Sequence, residues 1–328
     1  MPISLPPLDP GKNANRPSRR RFIAGSLATA AGLLFRPPPA LWGSDLQATA
    51  PASNPDRFAL LSDIHIDADR DLVVRNANMF DNLRRVTAEV IDRRPSGVFI
   101  DGDLAYLQGN VEDYATLVES LKPLREAGLP IHLTLGNHDS RENFWSALPE
   151  EDAARKDPRN QPLRQAQGRP VEGRQAIALE TPRANWFILD SLEKTNSTPG
   201  LIGDEQLKWL SAALDKASDK PALVMVHHNP DTGEKVTGLR DTAALMDAIV
   251  PRKQVKVLFF GHTHDWHVKQ QDGLHLVNFP PVAYVFTPGK PNGWVEGTLA
   301  DQGMTLQLHC LDKKHEQNEQ TVKLEWRA

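Results

Sequence analysis

The chain has 328 residues, 40% of them hydrophobic and 24% charged, with a formal charge of -4. That length can bury one large core or two modest ones, and its single cysteine, Cys310, excludes an internal disulfide and a cysteine-based metal site. Six basic and two acidic side chains fall in the first 52 residues, which leaves 32 basic against 40 acidic in the rest; so acidic a body is a poor general surface for nucleic acid, and no such partner is expected.

The N-terminal segment "SRRRFIAGSLATAAGLLF" (18–35) joins a basic head to an uncharged stretch diluted by Gly25, Ser26, Thr29 and Gly32. It is too short to span a bilayer comfortably, so no stable membrane span is expected. Ser18 to Ile23 resembles the bacterial twin-arginine export signal, which export machinery reads as an address. The resemblance implies a periplasmic or secreted protein exported already folded. A retained N-terminal anchor is the alternative. Residues 36 to 55, rich in proline and alanine, read as a linker. Residues 1–52 are thus expected to be signal and linker, and 53–328 a single domain.

From residue 57 one arrangement recurs five times: a short apolar run followed by polar residues able to bind metal. "FALLSDIHID" brings Asp63 and His65, and "GVFIDGDLAY" brings Asp101 and Asp103. "IHLTLGNHDS" brings Asn137, His138 and Asp139, "ALVMVHHNP" brings His227 and His228, and "KVLFFGHTH" brings His262 and His264. Such runs, bounded by Gly, Asp or Asn, predict buried strands. Helical patterns lie between them at 78–94, 111–128, 204–217 and 240–250. The first places Phe80, Leu83, Val86, Val90 and Ile91 on one face. Strands alternating with helices predict a largely parallel sheet, with ligands beyond the strands' carboxyl ends. All five clusters fall at such ends. Residues after His264 read as a hairpin turning at Asp272-Gly273, then as the strands "MTLQLHC" and "TVKLEW", and we expect a second sheet packed on the first. Residues 149–174 combine high charge and several prolines with almost no large apolar residue. They are expected to be a flexible surface insertion, with a lid over the site as the alternative.

Asp63, His65, Asp103, Asn137, His227, His262 and His264 are seven nitrogen and oxygen donors, more than one ion needs. A carboxylate can bridge two cations, which an imidazole cannot. Two ions roughly 3.5–4 Å apart activate water and neutralise a phosphoryl group during in-line displacement.

The order Asp63-Ile64-His65, Gly102-Asp103, Gly136-Asn137-His138-Asp139, His227, Gly261-His262-Thr263-His264 resembles the calcineurin-like metallophosphoesterases. The likeness runs from about residue 57 to about 285. "LDS" (189–191) and "GLIGDEQLKWLSAAL" (200–214) are similar to the family's branch of cyclic-nucleotide and glycerophosphodiester phosphodiesterases. The resemblance implies an α/β fold, a four-layer α/β/β/α sandwich of two mixed β-sheets flanked by helices. It implies hydrolysis of a small phosphate ester, foremost a phosphodiester, by attack of a metal-bound hydroxide. The implied cofactors are two divalent ions (Mn, Fe or Zn). Asp63, His65, Asp103 and His264 would hold one ion, and Asp103, Asn137, His227 and His262 the other, with Asp103 as the bridge. His138 would be the catalytic residue that contacts the phosphate and protonates the leaving oxygen, with Asp139 behind it as orienting partner.

His228 is expected behind His227 rather than on a metal. Asp101 alternates with Asp103 along an extended segment and is expected on the strand's other face. Gly102-Asp103 followed by Tyr106 also resembles the purple acid phosphatases, in which that tyrosine binds ferric iron. Those enzymes normally have glycine where this chain has His65, so Tyr106 is assigned to packing. The rival readings are a phosphomonoesterase or a nuclease on the same residues, and a non-catalytic binding scaffold, which would be expected to have lost ligands.

Overall fold

The computed structural model describes residues 54–149 and 171–328. The signal and linker expected in 1–52, and residues 150–170 of the insertion expected in 149–174, lie outside the described residues. The insertion's last four residues are described, and two of them are anchored. Val171 is buried, and the Arg174 guanidinium donates to the Leu192 carbonyl at 2.8 Å and the Leu201 carbonyl at 3.3 Å.

The strand-like runs form strands, and their partners come from both ends of the chain. In one sheet β1 (Asn54–Ser62), β4 (Pro95–Asp101) and β5 (Ile131–Thr134) run parallel. The antiparallel meander β12 (Gly293–Ala300), β13 (Gly303–Cys310) and β14 (Thr321–Glu325) continues from β1. The second sheet is parallel through β7 (Asn185–Leu189), β8 (Ala222–Val226), β9 (Val255–Phe260) and β11 (Leu274–Asn278). Its antiparallel edges are β6 (Ile177–Glu180) and β10 (His267–Gln271). The Asp272-Gly273 hairpin forms as read, both residues at positive φ. The expected division, one parallel sheet and then a C-terminal one, is corrected. The parallel strands split between two sheets, and the C-terminal strands are shared between both. Hydrophobic runs state that a strand is buried; they do not state which neighbour it pairs with.

Helices α1 (Met79–Arg93), α2 (Val111–Glu126) and α3 (Arg141–Ala147) cover the first sheet, where Leu83, Val86, Leu117, Leu121 and Phe144 pack on Leu61, Ile100 and Leu133. Helices α4 (Asp204–Lys216) and α5 (Thr242–Ile249) cover the second through Leu210, Leu214, Leu245 and Ile249 against Phe187, Val224 and Leu258. The result is the four-layer α/β/β/α sandwich. α1 buries Met79, Asn82, Leu83, Val86, Thr87 and Val90, so its core face is rotated slightly from the one predicted. Phe80 is only half-buried and lies under the Arg70 guanidinium, 5.1 Å from ring centroid to Cζ.

An aromatic stack joins the two sheets. The rings of Phe99 and Trp186 are 4.2 Å apart and nearly parallel, Phe58 meets Trp186 edge-on at 5.3 Å, and Phe259 stacks on Trp186 at 5.8 Å. Burial of an indole among three rings is among the larger single terms a core can hold. Trp186→Ala is therefore expected to cost about 3–5 kcal/mol of unfolding free energy in a denaturant titration. A loss below about 1 kcal/mol would mean that the sheets are not joined through this stack.

Candidate metal centre

The five polar clusters lie where β1, β4 and β5 of one sheet and β8 and β9 of the other end together. Strand geometry is abandoned there. Asp63, His65, Asp103, His262 and His264 all have positive φ, between 44° and 69°. Non-glycine residues held there cost of order 1–3 kcal/mol each and persist only when their surroundings fix them. Glycines supply the close approaches. A Cβ on Gly136 would collide with Asp103 Oδ1 and stand 2.7 Å from His227 Cδ2, and one on Gly102 would stand 2.5 Å from the His227 ring.

Two sets of donors result. Asp63, His65 and His264 offer atoms within 4.8 Å of one another, and so do Asp103, His227 and His262. A third such set, His65, Asp103 and His138, overlaps both and shows the two to be contiguous. Each carboxylate is held by hydrogen bonds and turns one oxygen to the histidines. Asp103 Oδ1 accepts the His138 backbone N–H at 2.8 Å, leaving Oδ2 3.2 Å from His227 Nε2 and 3.7 Å from His65 Nε2. Asp63 Oδ2 accepts the Ser62 hydroxyl at 2.5 Å, the His262 backbone N–H is shared by Oδ2 at 3.1 Å and Oδ1 at 3.2 Å, and Oδ1 stands 3.4 Å from His264 Nε2 and 3.9 Å from His65 and His227 Nε2.

Backbone carbonyls select the histidine tautomers. His227 Nδ1–H donates to the Asp101 carbonyl at 2.9 Å, His264 Nδ1–H to the Tyr284 carbonyl at 2.5 Å, and His262 Nε2–H to the Thr237 carbonyl at 3.2 Å. The opposite nitrogen of each ring keeps its lone pair for the centre. His227 Nε2 and Asn137 Oδ1 are buried without a hydrogen-bond partner, and His65 Nε2 and His264 Nε2 face each other at 3.0 Å. Buried polar atoms left without partners are what a cation-binding site provides, and the all-nitrogen-and-oxygen donor set suits borderline divalent ions.

Electrostatics agree. Burial opposes charge on Asp63, yet His264 and His227 outweigh it and hold the carboxyl well below its usual range. Burial opposes charge on Asp103 too, and His227 and His65 pull it low. Burial, with His264 beside it, pushes His65 down to about 3, and burial, with His227 beside it, pushes His262 down to about 4. Burial also works against charge on His227, but Asp103 and Asp63 together raise it well above the ordinary imidazole value.

His138 lies at the open side, its ring centroid 5.2 Å from that of His65. Its expected partner is corrected. The Asp139 carboxylate accepts from the backbone N–H of Leu104, Ala105 and Gly136 and from the Tyr114 hydroxyl, at 2.8–3.1 Å. Asp139 thus ties the Asp103 loop to the Asn137 loop from beneath, and burial and nearby Asp103 push its pKa up to about 6. The His138 ring is held instead by the Leu107 carbonyl, which accepts from Nδ1–H at 2.9 Å. Leu107 has φ 56°, and no side-chain pattern marks a carbonyl turned by such a residue.

The ground for setting Asp101 aside is also corrected. Gly102 and Asp103 both have positive φ, so strand alternation does not extend to Asp103. Asp101 shares the inter-sheet face of Phe99 and sits beneath the centre, fully buried with neither oxygen hydrogen-bonded. Burial raises its pKa well above the usual carboxylate range. His228 stands behind His227, its Nδ1 2.7 Å from the Ser191 hydroxyl. Tyr106 packs on the small cluster of Met79, Ala283 and Tyr284. Four features went unread in the sequence: the Leu107 and Tyr284 carbonyls, Ser62, and the aromatic pair Tyr284 and Phe286.

The sequence profile of the calcineurin-like phosphoesterases matches residues 56–266, and the chain belongs to that family. It is 27% identical over 258 residues to the 3',5'-cyclic adenosine monophosphate phosphodiesterase CpdA of Pseudomonas aeruginosa, covering 76% of this chain and 84% of the relative. It is 26% identical over 263 residues to a probable cyclic nucleotide phosphodiesterase of Synechococcus, covering 78% and 92% respectively. In fold it is similar to a dimetal phosphatase from Danio rerio, with a TM-score of 0.61 at 15% identity over 83% of this chain and 99% of the other. It is also similar to a purple acid phosphatase from yellow lupin seeds, with a TM-score of 0.55 at 14% identity over 82% of this chain and 53% of the other.

The charge states predict proton-linked metal uptake. A proton on His227 competes with metal, and its raised pKa keeps that proton on where an ordinary imidazole is already shedding it, whereas His65 and His262 are neutral well below pH 6. Affinity for a divalent ion should therefore fall as pH falls from about 7 to about 5, with about one proton released per ion taken up on the His227 side. Calorimetry in buffers of different ionisation enthalpy measures this count. Release of no proton would contradict the raised His227, and release of three would contradict the neutral His65 and His262.

Proposed function

We propose that this chain is a two-metal phosphodiesterase that hydrolyses a small cyclic nucleotide or a comparable diester outside the cytoplasm. The observation that carries the reading is the Asp103 carboxylate, whose free oxygen faces histidines of both donor sets at 3.2 and 3.7 Å. Support for a diester comes from the cyclic-nucleotide phosphodiesterases among its relatives. Asp63, His65, His264 and Asp103 would hold one divalent ion, and Asp103, Asn137, His227 and His262 the other, with Mn, Fe and Zn the metals suited to these donors. When bound, such a pair supplies charge neutralisation for the phosphoryl oxygens and a water made nucleophilic at neutral pH.

The chain's own residues do the rest. The Asp103 and Asp63 carboxylates are ionised and fixed before substrate arrives, Asp103 by the His138 backbone N–H and Asp63 by the Ser62 hydroxyl and the His262 backbone N–H. The Leu107 carbonyl fixes His138 through Nδ1–H and leaves Nε2 for the departing oxygen. Protonating that oxygen requires a proton on both ring nitrogens, so His138 works as the imidazolium.

His138→Ala is expected to keep its metal and lose roughly 10²–10⁴-fold in kcat on a cyclic nucleotide, and much less on a bis-aryl phosphodiester, whose phenolate leaves without a proton. Equal losses on both would remove His138 from the proton-donor role. The reading as a whole is tested by assaying the metal-loaded protein on cyclic AMP, a bis-aryl diester and an aryl monoester. Faster turnover of the monoester than of either diester sinks it.

Export rests on the basic head Arg19-Arg20-Arg21 and the weakly apolar stretch behind it. An enzyme so placed would consume nucleotides outside the cell's cytoplasm rather than tune an internal signal. Replacing Arg19 and Arg20 together with Lys should leave the protein folded, active and cytoplasmic. Undiminished export of that variant would point to a general secretory signal or an anchor.

A further inference from the structure

Large apolar side chains left exposed are informative when they collect around a site. Among the described residues four stand out, and one of them, Phe286, is 47% exposed while stacked face to face on the ring of His264, with centroids 4.1 Å apart and planes 16° apart. Its position is fixed by the loop that follows β11. Val282 N–H donates to the Ser62 carbonyl and Ala283 N–H to the Asp63 carbonyl, the Asn82 amide donates to both the Val282 and Ala283 carbonyls, and the Tyr284 carbonyl accepts from His264. An aromatic ring that could have been folded under is instead held at the mouth of the donor cluster.

Over this ring stands a cation. Strands β2 (Val73–Val74) and β3 (Ala77–Asn78) form a short antiparallel ribbon, and the two residues between them, Arg75 and Asn76, have φ of 50° and 66°. That is the tight two-residue turn of a hairpin, here without the glycine that usually eases it. The turn carries Arg75 out so that its guanidinium carbon lies 5.3 Å from the Phe286 ring centroid. Arg75 forms no ion pair with a carboxylate among the described residues. Val73, 60% exposed, stands on the same ribbon.

We propose that Phe286 and Arg75 bind the planar base of a nucleotide substrate, and so select nucleotides among small phosphoesters. The inference rests on the phosphoester reading of the neighbouring centre and adds the class of alcohol that it accepts. His264 covers one face of Phe286, Tyr284 meets the ring edge-on at 6.0 Å, and the Arg75 guanidinium lies over a ring that is still 47% exposed. A base entering there displaces Arg75 outward and is then held between the ring and the guanidinium, two surfaces that both stack well on a π system. A glycerol or sugar alcohol gains nothing from such a pair. A quaternary ammonium alcohol would be drawn to the ring but repelled by Arg75, so choline-type esters are disfavoured. The phosphate end meets the metal ligand His264 one ring away, so base and phosphate are read by adjacent surfaces.

The test compares two ligands that differ only in the base, adenosine 5'-monophosphate and ribose 5-phosphate, titrated calorimetrically into the metal-loaded full chain. The wild type should bind the nucleotide about tenfold or more tightly than the sugar phosphate, as one stacked base provides. Phe286→Ala should erase that difference while ribose 5-phosphate binds as before and the metal content stays at the wild-type value. Phe286→Trp should restore it, and Arg75→Ala should reduce it without touching ribose 5-phosphate. Equal binding of the two ligands by the wild type overturns the proposal. So does a Phe286→Ala variant that loses metal or weakens both ligands alike, because the ring would then merely prop His264. The two readings fail separately. Turnover of a bis-aryl diester without nucleotide preference removes this inference alone. A nucleotide preference in a protein that hydrolyses no diester removes the phosphodiesterase reading alone.

Discussion

Two buried carboxylates, Asp63 and Asp103, stand among four imidazoles at the junction of two sheets, and their charge has to be answered within a few ångströms. Burial penalises both anions, and Asp103 also opposes charge on Asp63; what keeps them ionised is the surrounding histidines. In the bare protein Asp103 and Asp63 favour a proton on His227, and the Nε2 atoms of His65 and His264 stand 3.0 Å apart. The arrangement suits metal ions, and under the proposed reading a pair of divalent cations would complete it. Nearly every other feature near the centre follows from keeping those six side chains in place before the cations arrive.

The cost is borne by the backbone. Five metal-directed residues lie in the left-handed region, and glycines at 102 and 136 leave no room for a β-carbon between the loops. Asp139 supplies much of the compensation. Its four accepted hydrogen bonds fasten the Asp103 loop to the Asn137 loop, and loss of that acceptor would strand three buried N–H groups and a hydroxyl. The aromatic stack around Trp186 acts at a larger scale, since each sheet brings part of the donor set and the stack fixes one sheet against the other.

The donor set was legible in the sequence because metal chemistry restricts residue type as well as place. Asp63, His65, Asp103, Asn137, His227, His262 and His264 each follow an apolar run, and the structure brings all of them to one point. Four of the described helices were legible through their 3.6-residue pattern, to within a residue or two of their ends, whereas the short α3 (Arg141–Ala147) went unread. What was not legible depends on the backbone or on partner choice. A buried parallel strand reads alike in either sheet, so β8 and β9 could not be told from the partners of β1. The resemblance implied that Asp139 orients His138, but the carboxylate accepts from the loops beneath and the imidazole is held by the Leu107 carbonyl. The carbonyls of Leu107 and Tyr284 orient two histidines and leave no mark in side-chain chemistry. Phe286 was visible as an aromatic, but its exposure beside the ligands came only from the path of its loop.

The central claim is that Asp103 bridges two cations, and anomalous X-ray scattering from crystals grown with Mn or Zn tests it most directly. The account predicts two anomalous peaks roughly 3.5–4 Å apart. One would be surrounded by Asp63, His65 and His264, the other by Asn137, His227 and His262, and a single Asp103 oxygen would lie between them. A single peak, or two peaks neither of which is within bonding distance of Asp103, would contradict it.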